Sequence, residues 1–207
     1  MNIQSAYNTW ANDYDTDKNL TRDLDEEIIK KLFDGQKFDS ILEVGCGTGK
    51  NTVFLASISK HLTAIDFSEG MISKAKEKVK SDSVRFQICD INRAWIIEEN
   101  YFDLITFNLI LEHIENIDNI LAEAGKYLRP KGLVLINELH PFRQYEGKKA
   151  IYRDNEEIKE IDAFVHNISD FLDSAEKNGL KLLKLREYWH QQDQNKLPRI
   201  ISFLFIR

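Results

Sequence analysis

Ile41-Leu42-Glu43-Val44-Gly45-Cys46-Gly47-Thr48-Gly49 is the stretch on which the reading of this 207-residue chain turns. Its apolar start reads as a buried strand, three alternate glycines follow at once, and a helical pattern begins at Asn51. Glycine has no Cβ, so a strand, glycine turn and helix in succession let the backbone approach a ligand closely. Two nucleotide signatures fail here. A dinucleotide fingerprint spaces its glycines G-x-G-x-x-G, and the third of those positions is Lys50. A P-loop needs glycine where Val44 stands and Ser or Thr where Asn51 stands. What remains is Glu43-x-Gly45-x-Gly47-x-Gly49.

The rest of the chain alternates in the same way. Before the glycine stretch, Tyr7, Trp10, Ala11 and Tyr14 recur at spacings of three and four, which predicts a short amphipathic helix over 4–14. A second helix is expected from Asp23 or Asp25 to Gly35, on Leu24, Ile28, Leu32 and Phe33. The strand at 40–44 feeds a helix over 51–59, and a strand over 61–65 ends in Asp66. Ser68 suits an N-cap for a helix reaching about residue 80. Strands over 84–89 and 102–107 follow, then a helix over 116–128 stopped by Pro130-Lys131-Gly132, then a strand over 133–137. Such alternation predicts a parallel sheet covered on both faces. From His140 it breaks. Segments 149–153 and 156–161 flank Asp154-Asn155 as a hairpin, a helix covers 169–178, and strands over 180–188 and 200–206 should pair antiparallel because no crossover helix fits between them.

Open α/β sheets bind ligands at the carboxyl ends of their strands, near the point where strand order reverses. Four successive strand exits present the glycines, Asp66, Asp90-Ile91 and Asn108-Leu109. A carboxylate at the second exit is placed to accept from both hydroxyls of a ribose. Any one of these residues alone is an ordinary turn former. Together they describe a ligand site.

The pattern resembles the class I S-adenosylmethionine (SAM) methyltransferases over nearly the whole chain. Three pieces are the most specific: 42–49, Ile65-Asp66-Phe67-Ser68-Glu69-Gly70-Met71, and Phe102-Asp103-Leu104-Ile105. The resemblance implies a Rossmann-like, doubly wound seven-stranded α/β sheet, mostly parallel with an antiparallel C-terminal strand, forming one domain over 1–207. It implies that SAM is bound and S-adenosylhomocysteine released. Gly45, Cys46, Gly47 and Gly49 would form the turn at the methionine end, with Glu43 fixing it or reaching the amino group. Asp66 would hold the ribose, Phe67 and Met71 would flank the adenine, and Asp90 with the Ile91 backbone would meet its edge. Asn108 and Leu109 would line the sulfonium side; His113, counted with the cofactor-binding residues, stands at a position that is often structural in the resembling proteins, with direct catalysis as the alternative. Tyr14 belongs to the segment Tyr7-Asn8-x-x-Ala11-x-x-Tyr14-Asp15, which is similar to the family's opening segment, a lid over the cofactor. Lys131, where the family commonly has glycine, departs from the pattern.

The acceptor site falls on the insert over 140–166, where function varies on such folds. His140 leaves the fifth strand and is the candidate base or substrate contact, with a turn histidine before proline as the competing account. Arg143, Tyr145, Tyr152 and His166 are candidate substrate contacts there. The formal net charge of −6 disfavours a nucleic-acid partner, and no apolar run approaches the ~20 residues of a membrane span. Met1-Asn2-Ile3-Gln4 has no signal-like start, and Cys46 and Cys89 form no CxxC pair. The expectation is a cytoplasmic monomer or homodimer acting on a small molecule, without a metal. A non-catalytic SAM-binding protein and a nicotinamide-dependent oxidoreductase are the alternatives.

Overall fold

The structure, a computed structural model, describes residues 3–97, 101–154 and 157–207. Apolar runs become β1 (Phe38–Val44), β2 (Ser59–Asp66), β3 (Val84–Ile88), β4 (Phe102–Asn108) and β5 (Leu128–Leu139). The amphipathic stretches become α1 (Ile3–Trp10), α2 (Leu20–Leu32), α3 (Lys50–Ile58), α4 (Glu69–Lys78) and α5 (Ile117–Tyr127). After β5 come the short α6 (Pro141–Tyr145), the hairpin β6 (Ile151–Asp154) and β7 (Glu157–Glu160), α7 (Ile168–Lys177), β8 (Lys181–Tyr188) and β9 (Ile200–Ile206).

The main sheet runs β3-β2-β1-β4-β5-β9-β8, with β9 antiparallel to both of its neighbours. This is the expected doubly wound α/β sheet. Buried side chains alternate between its faces. Leu42, Val44, Ile105, Phe107, Val134 and Ile136 pack toward α5 and α7, while Ile41, Leu62, Leu104 and Leu135 pack with Ile29 of α2, Phe33 at its C-cap and Leu55 of α3. Strand order reverses between β1 and β4, and the crevice at that reversal holds the site.

Several boundaries differ from the expectation, each for a local reason. α2 starts at Leu20 because the Asn19 side chain accepts from the backbone N–H groups of Thr21 and Arg22, at 3.0 and 3.1 Å, and so caps it. α1 ends at Trp10, and the backbone continues to Thr16 in turns, Asp13 N and Tyr14 N both bonding to Trp10 O. α5 stops at Tyr127, ahead of Pro130-Lys131-Gly132. Those three residues instead form an irregularity inside β5, where pairing jumps from Phe102↔Leu128 to Leu104↔Leu133. α6 was not foreseen. Proline at its first position and the His140 side chain at its N-cap start a helix too short to show a period. The expected hairpin is present as β6 and β7, but Asn155 and Glu156 at its turn lie outside the described residues, as does the Tyr152 side chain. α1 packs Ala6 and Trp10 against Ile161, so the two ends of the expected lid and insert touch.

Candidate functional site

A cavity of about 260 Å³ opens at the carboxyl ends of β1, β2 and β4. Its floor is the glycine turn. Gly45 adopts φ +73°, and the N–H groups of Gly45 and Cys46 both donate to Ile65 O of β2, at 2.8 and 3.0 Å. A Cβ at Gly45 would stand 2.3 Å from Cγ2 of Ile110, itself in the cavity wall. Glycine is required there by both backbone and space.

Asp66, at the end of β2, ties the turn to the second strand. One carboxylate oxygen accepts from Gly47 N–H at 2.9 Å, the other from Ser68 N–H at 2.9 Å. Burial pushes its carboxyl up to about 6, against the pull of those donors. Each oxygen keeps a second lone pair for a ligand. Phe67 and Met71 continue the wall on this side, and Asp90 and Ile91 form the opposite one with Cys89. At the β4 exit Leu109 takes φ +57°, a conformation costly for a leucine and typical of a site that over-determines its backbone. Leu109 N–H donates to Asn137 O, and the buried Glu138 accepts from Ile110 N–H and Leu111 N–H at 3.0 and 2.7 Å. Those contacts hold Asn108, Leu109 and Ile110 against the cavity.

α1 closes the top. Gln4 donates to Phe67 O at 2.6 Å, and Asn8 accepts from the Ser68 hydroxyl at 2.6 Å. Farther along, Asp15 accepts from Thr48 at 2.7 Å and pairs with Lys78 at 2.7 Å. Tyr14 lines the cavity beneath the Arg22 guanidinium, 3.9 Å from its ring centre. Tyr7 lies 2.8 Å from Nε2 of His113, whose Nδ1 faces Asp162 O at 3.0 Å. A carbonyl can only accept, so Nδ1 donates to Asp162 O, and in the neutral tautomer that this fixes Nε2 is the acceptor for the Tyr7 hydroxyl. Burial raises the Tyr7 phenol well above its ordinary value, which keeps it protonated and donating.

The structure therefore gathers Tyr14, Gly45, Gly47, Asp66, Phe67, Met71, Asp90, Ile91, Asn108, Leu109 and His113 around one cavity. It does not gather the others. Glu43 is buried away from the cavity lining and accepts from Thr52 of α3 at 2.6 Å; burial raises it to about 8, so it stays protonated at neutral pH. Cys46 turns into an apolar cluster with Ala64 and Ile72. Gly49 begins α3 at φ +83°, where a Cβ would crowd Ala75 at 3.2 Å, so its role is helix packing.

The insert residues are corrected most. His140 is fully buried: Nδ1 accepts from Phe142 N–H at 3.2 Å and Nε2 meets Glu187 at 2.8 Å, which makes it the cap of α6. Arg143 is buried too, donating to Pro198 O and Leu197 O at 3.0 and 2.7 Å and pairing with Asp193. Tyr145 is exposed and donates to Asn167 at 2.7 Å. His166 donates to Ile114 O at 2.7 Å and borders a separate open depression. None of the four lines the cavity.

Gln4, Tyr7 and Ile110 were not foreseen as lining residues. Tyr7 had a signal, its place in the aromatic stripe of α1; the other two had none. The lining suits a nucleoside-like ligand. It offers a carboxylate for a diol, an apolar slot between Phe67, Met71 and Ile91, and a partnerless buried oxygen, Asn108 Oδ1, for a donor group. Among the described residues no three His, Cys, Asp or Glu side chains are grouped to hold a metal ion, and no helix is long and apolar enough to cross a membrane.

A family model described as a methyltransferase domain matches residues 42–136. The chain is 29% identical over 160 residues to a malonyl-[acyl-carrier protein] O-methyltransferase of Bacillus cytotoxicus, a match covering 75% of this chain and 55% of that protein. It thus spans about half the length of the curated relatives it matches. Among solved structures it resembles the N-methyltransferase NodS of Bradyrhizobium japonicum in complex with S-adenosyl-L-homocysteine, with a TM-score of 0.73, 18% identity and coverage of 100% of this chain and 99% of that one. An S-adenosylmethionine-dependent methyltransferase of Clostridium acetobutylicum gives a TM-score of 0.70 at 21% identity, covering 97% and 98%. At these identities the structures speak for a shared fold.

Proposed function

We propose, from the match of residues 42–136 to a methyltransferase-domain family model, that the chain transfers the methyl group of SAM to a small-molecule nucleophile. The observation that carries this reading is the convergence on one cavity of the glycine turn, Asp66, Asp90 and Asn108, from four successive strand exits. Bound SAM supplies a methyl group on a sulfonium, which leaves as a neutral thioether when the acceptor's lone pair attacks in line. The chain's own work is to bind, orient and exclude water. Asp66 accepts from the ribose hydroxyls, while Phe67, Met71 and Ile91 enclose the base. Gly45 and Gly47 admit the amino-acid tail, and α1 covers the reacting end.

An acceptor that must lose a proton finds one relay in the cavity. Tyr7 lies against Nε2 of His113: as the Tyr7 oxygen takes up the acceptor's proton, its own hydroxyl proton moves to Nε2, leaving the ring protonated at both nitrogens. His113→Gln is expected to lower turnover at least about tenfold at neutral pH while SAM affinity changes less than about twofold. An unchanged turnover rate assigns the relay a purely structural role.

Calorimetric titration with SAM, S-adenosylhomocysteine and NADH tests the reading. Binding of SAM and of the product, with none of NADH, is the expected result. NADH binding without SAM binding would transfer the chain to the oxidoreductases. SAM binding without turnover against any acceptor pool would make it a SAM-binding protein.

A further inference from the structure

Below the cavity, the carboxylate of Asp25 is 3% exposed and takes three side-chain amides. Its Oδ1 accepts from Asn108 at 2.7 Å and from Asn137 at 2.8 Å, and its Oδ2 accepts from Asn51 at 2.7 Å. The donors come from β4, β5 and α3, and Asp25 itself from α2. Asp25 takes no part in the cavity lining; of the four side chains, Asn108 alone does.

An ionised carboxylate only accepts, so each amide must turn its NH₂ toward Asp25 and its oxygen away. The consequence is visible at all three: Oδ1 of Asn51, of Asn108 and of Asn137 is buried without a protein partner. Asn108 is the residue where that matters for a ligand, because it sits between the glycine turn and Leu109. With its NH₂ held by a negative charge, the amide is polarised and its oxygen becomes the stronger acceptor. The group is buried among carboxyls. Glu43 and Glu138 lie near Asp25 and burial raises the pKa of all three; at Asp25 the three amide donors oppose that rise, while the nearest cation, Lys50, is already paired with Asp23 and Glu26.

We propose that Asp25 is a positioning residue that fixes the Asn108 amide with its oxygen free for the ligand, so that the cavity favours the positively charged methyl donor over its uncharged-sulfur product. This inference rests on the SAM reading above. Its physical basis is that the two ligands share ribose, base and amino-acid tail and differ by one methyl and one charge. Contacts common to both cannot discriminate between them. A negative pole behind the sulfur end can, and it would also favour exchange of product for fresh donor.

The test is the ratio of dissociation constants for S-adenosylhomocysteine and SAM, measured by calorimetry on the full chain. Asp25→Asn is expected to weaken SAM about tenfold, roughly 1.4 kcal/mol, and the product less than about twofold. Should Asp25→Asn fail to fold, Asn108→Ala removes the same oxygen, leaves Asp25 held by Asn51 and Asn137, and is expected to shift the ratio in the same direction. Equal losses for both ligands, or no loss for either, would overturn the proposal, because a packing defect does not sense the sulfonium charge. Failure of the unsubstituted protein to bind either ligand would strike the SAM reading itself. That outcome is read before any variant is made.

Discussion

Asp66→Ala is expected to weaken SAM binding about a hundredfold. Hydrogen bonds to a charged group contribute about 1.5–3 kcal/mol each, and loss of two such bonds to the ribose reaches about 3 kcal/mol, or two decades in affinity. The substitution also strips Gly47 N–H and Ser68 N–H of their acceptor, so the glycine turn loses its tie to β2. An affinity within threefold of the unsubstituted protein would remove Asp66 from the ribose assignment. Acid gives a second, independent reading of the same carboxylate. Its pKa in the folded chain stands at about 6, above the ordinary 3.8, because it is buried. SAM affinity should therefore fall as pH drops through about 6, while the protein remains folded.

The stability contribution of this group has the opposite sign. Its folded pKa is raised, so the contribution is fully present below about 3.8 and lost as pH rises through about 6. Mild acid thus removes the acceptor without this residue destabilising the ligand-free fold. A thermal melt recorded at each pH separates the two effects, and a loss of binding that tracks a loss of melting temperature would refute the assignment.

Gly45→Ala should be the most damaging single methyl in the chain. At φ +73° an alanine accepts a left-handed backbone, which costs about 1–2 kcal/mol. Its Cβ would also lie 2.3 Å from Ile110 Cγ2, and overpacking of this kind costs about 1–3 kcal/mol more. In a domain of this size each kcal/mol lowers the melting temperature by roughly 2–4 °C, so a drop on the order of 10 °C is expected. Ile110 forms part of the cavity wall, and SAM affinity should fall with it. Adding Ile110→Ala should recover the part due to overlap and leave the backbone part. Gly47→Ala is the contrast. Nothing lies within 4 Å of its would-be Cβ, so at φ +53° it carries only the backbone cost of about 1–2 kcal/mol and no overlap, and the melt should fall less than for Gly45→Ala while ligand affinity still drops. A Gly45→Ala protein that melts and binds normally would show that the turn relaxes freely.

The strand-exit residues that line the cavity were legible because they sit at fixed places in a local pattern. Asp66 follows the second strand as the glycines follow the first, and Asp90 and Asn108 follow theirs. A period-two apolar run, a break and a helix onset are near-neighbour properties, so strand exits can be counted along the chain. His140 and Arg143 were misread for the converse reason. Their partners Glu187, Pro198 and Leu197 lie 47, 55 and 54 residues away, and nothing near them in sequence says that β8 and the loop before β9 will claim their polar atoms. Glu43, Cys46 and Gly49 belong to the right motif, but packing claims them elsewhere: Glu43 accepts from Thr52 of α3, Cys46 packs with Ala64 and Ile72, and Gly49 starts α3 against Ala75.

Sequence alone determined the order of the elements except α6, the glycine turn and the carboxylate after the second strand, and with them the resemblance to the SAM methyltransferases. Tertiary structure alone decided which side chains of that motif face the ligand. It also brought Tyr7 to His113 across 106 residues and set Asp25 under Asn108 and Asn137 across 83 and 112. A carboxylate on an amphipathic helix reads as an exposed residue until the helix docks. Only packing against the ends of β4 and β5 removes its water and supplies amides in place of it.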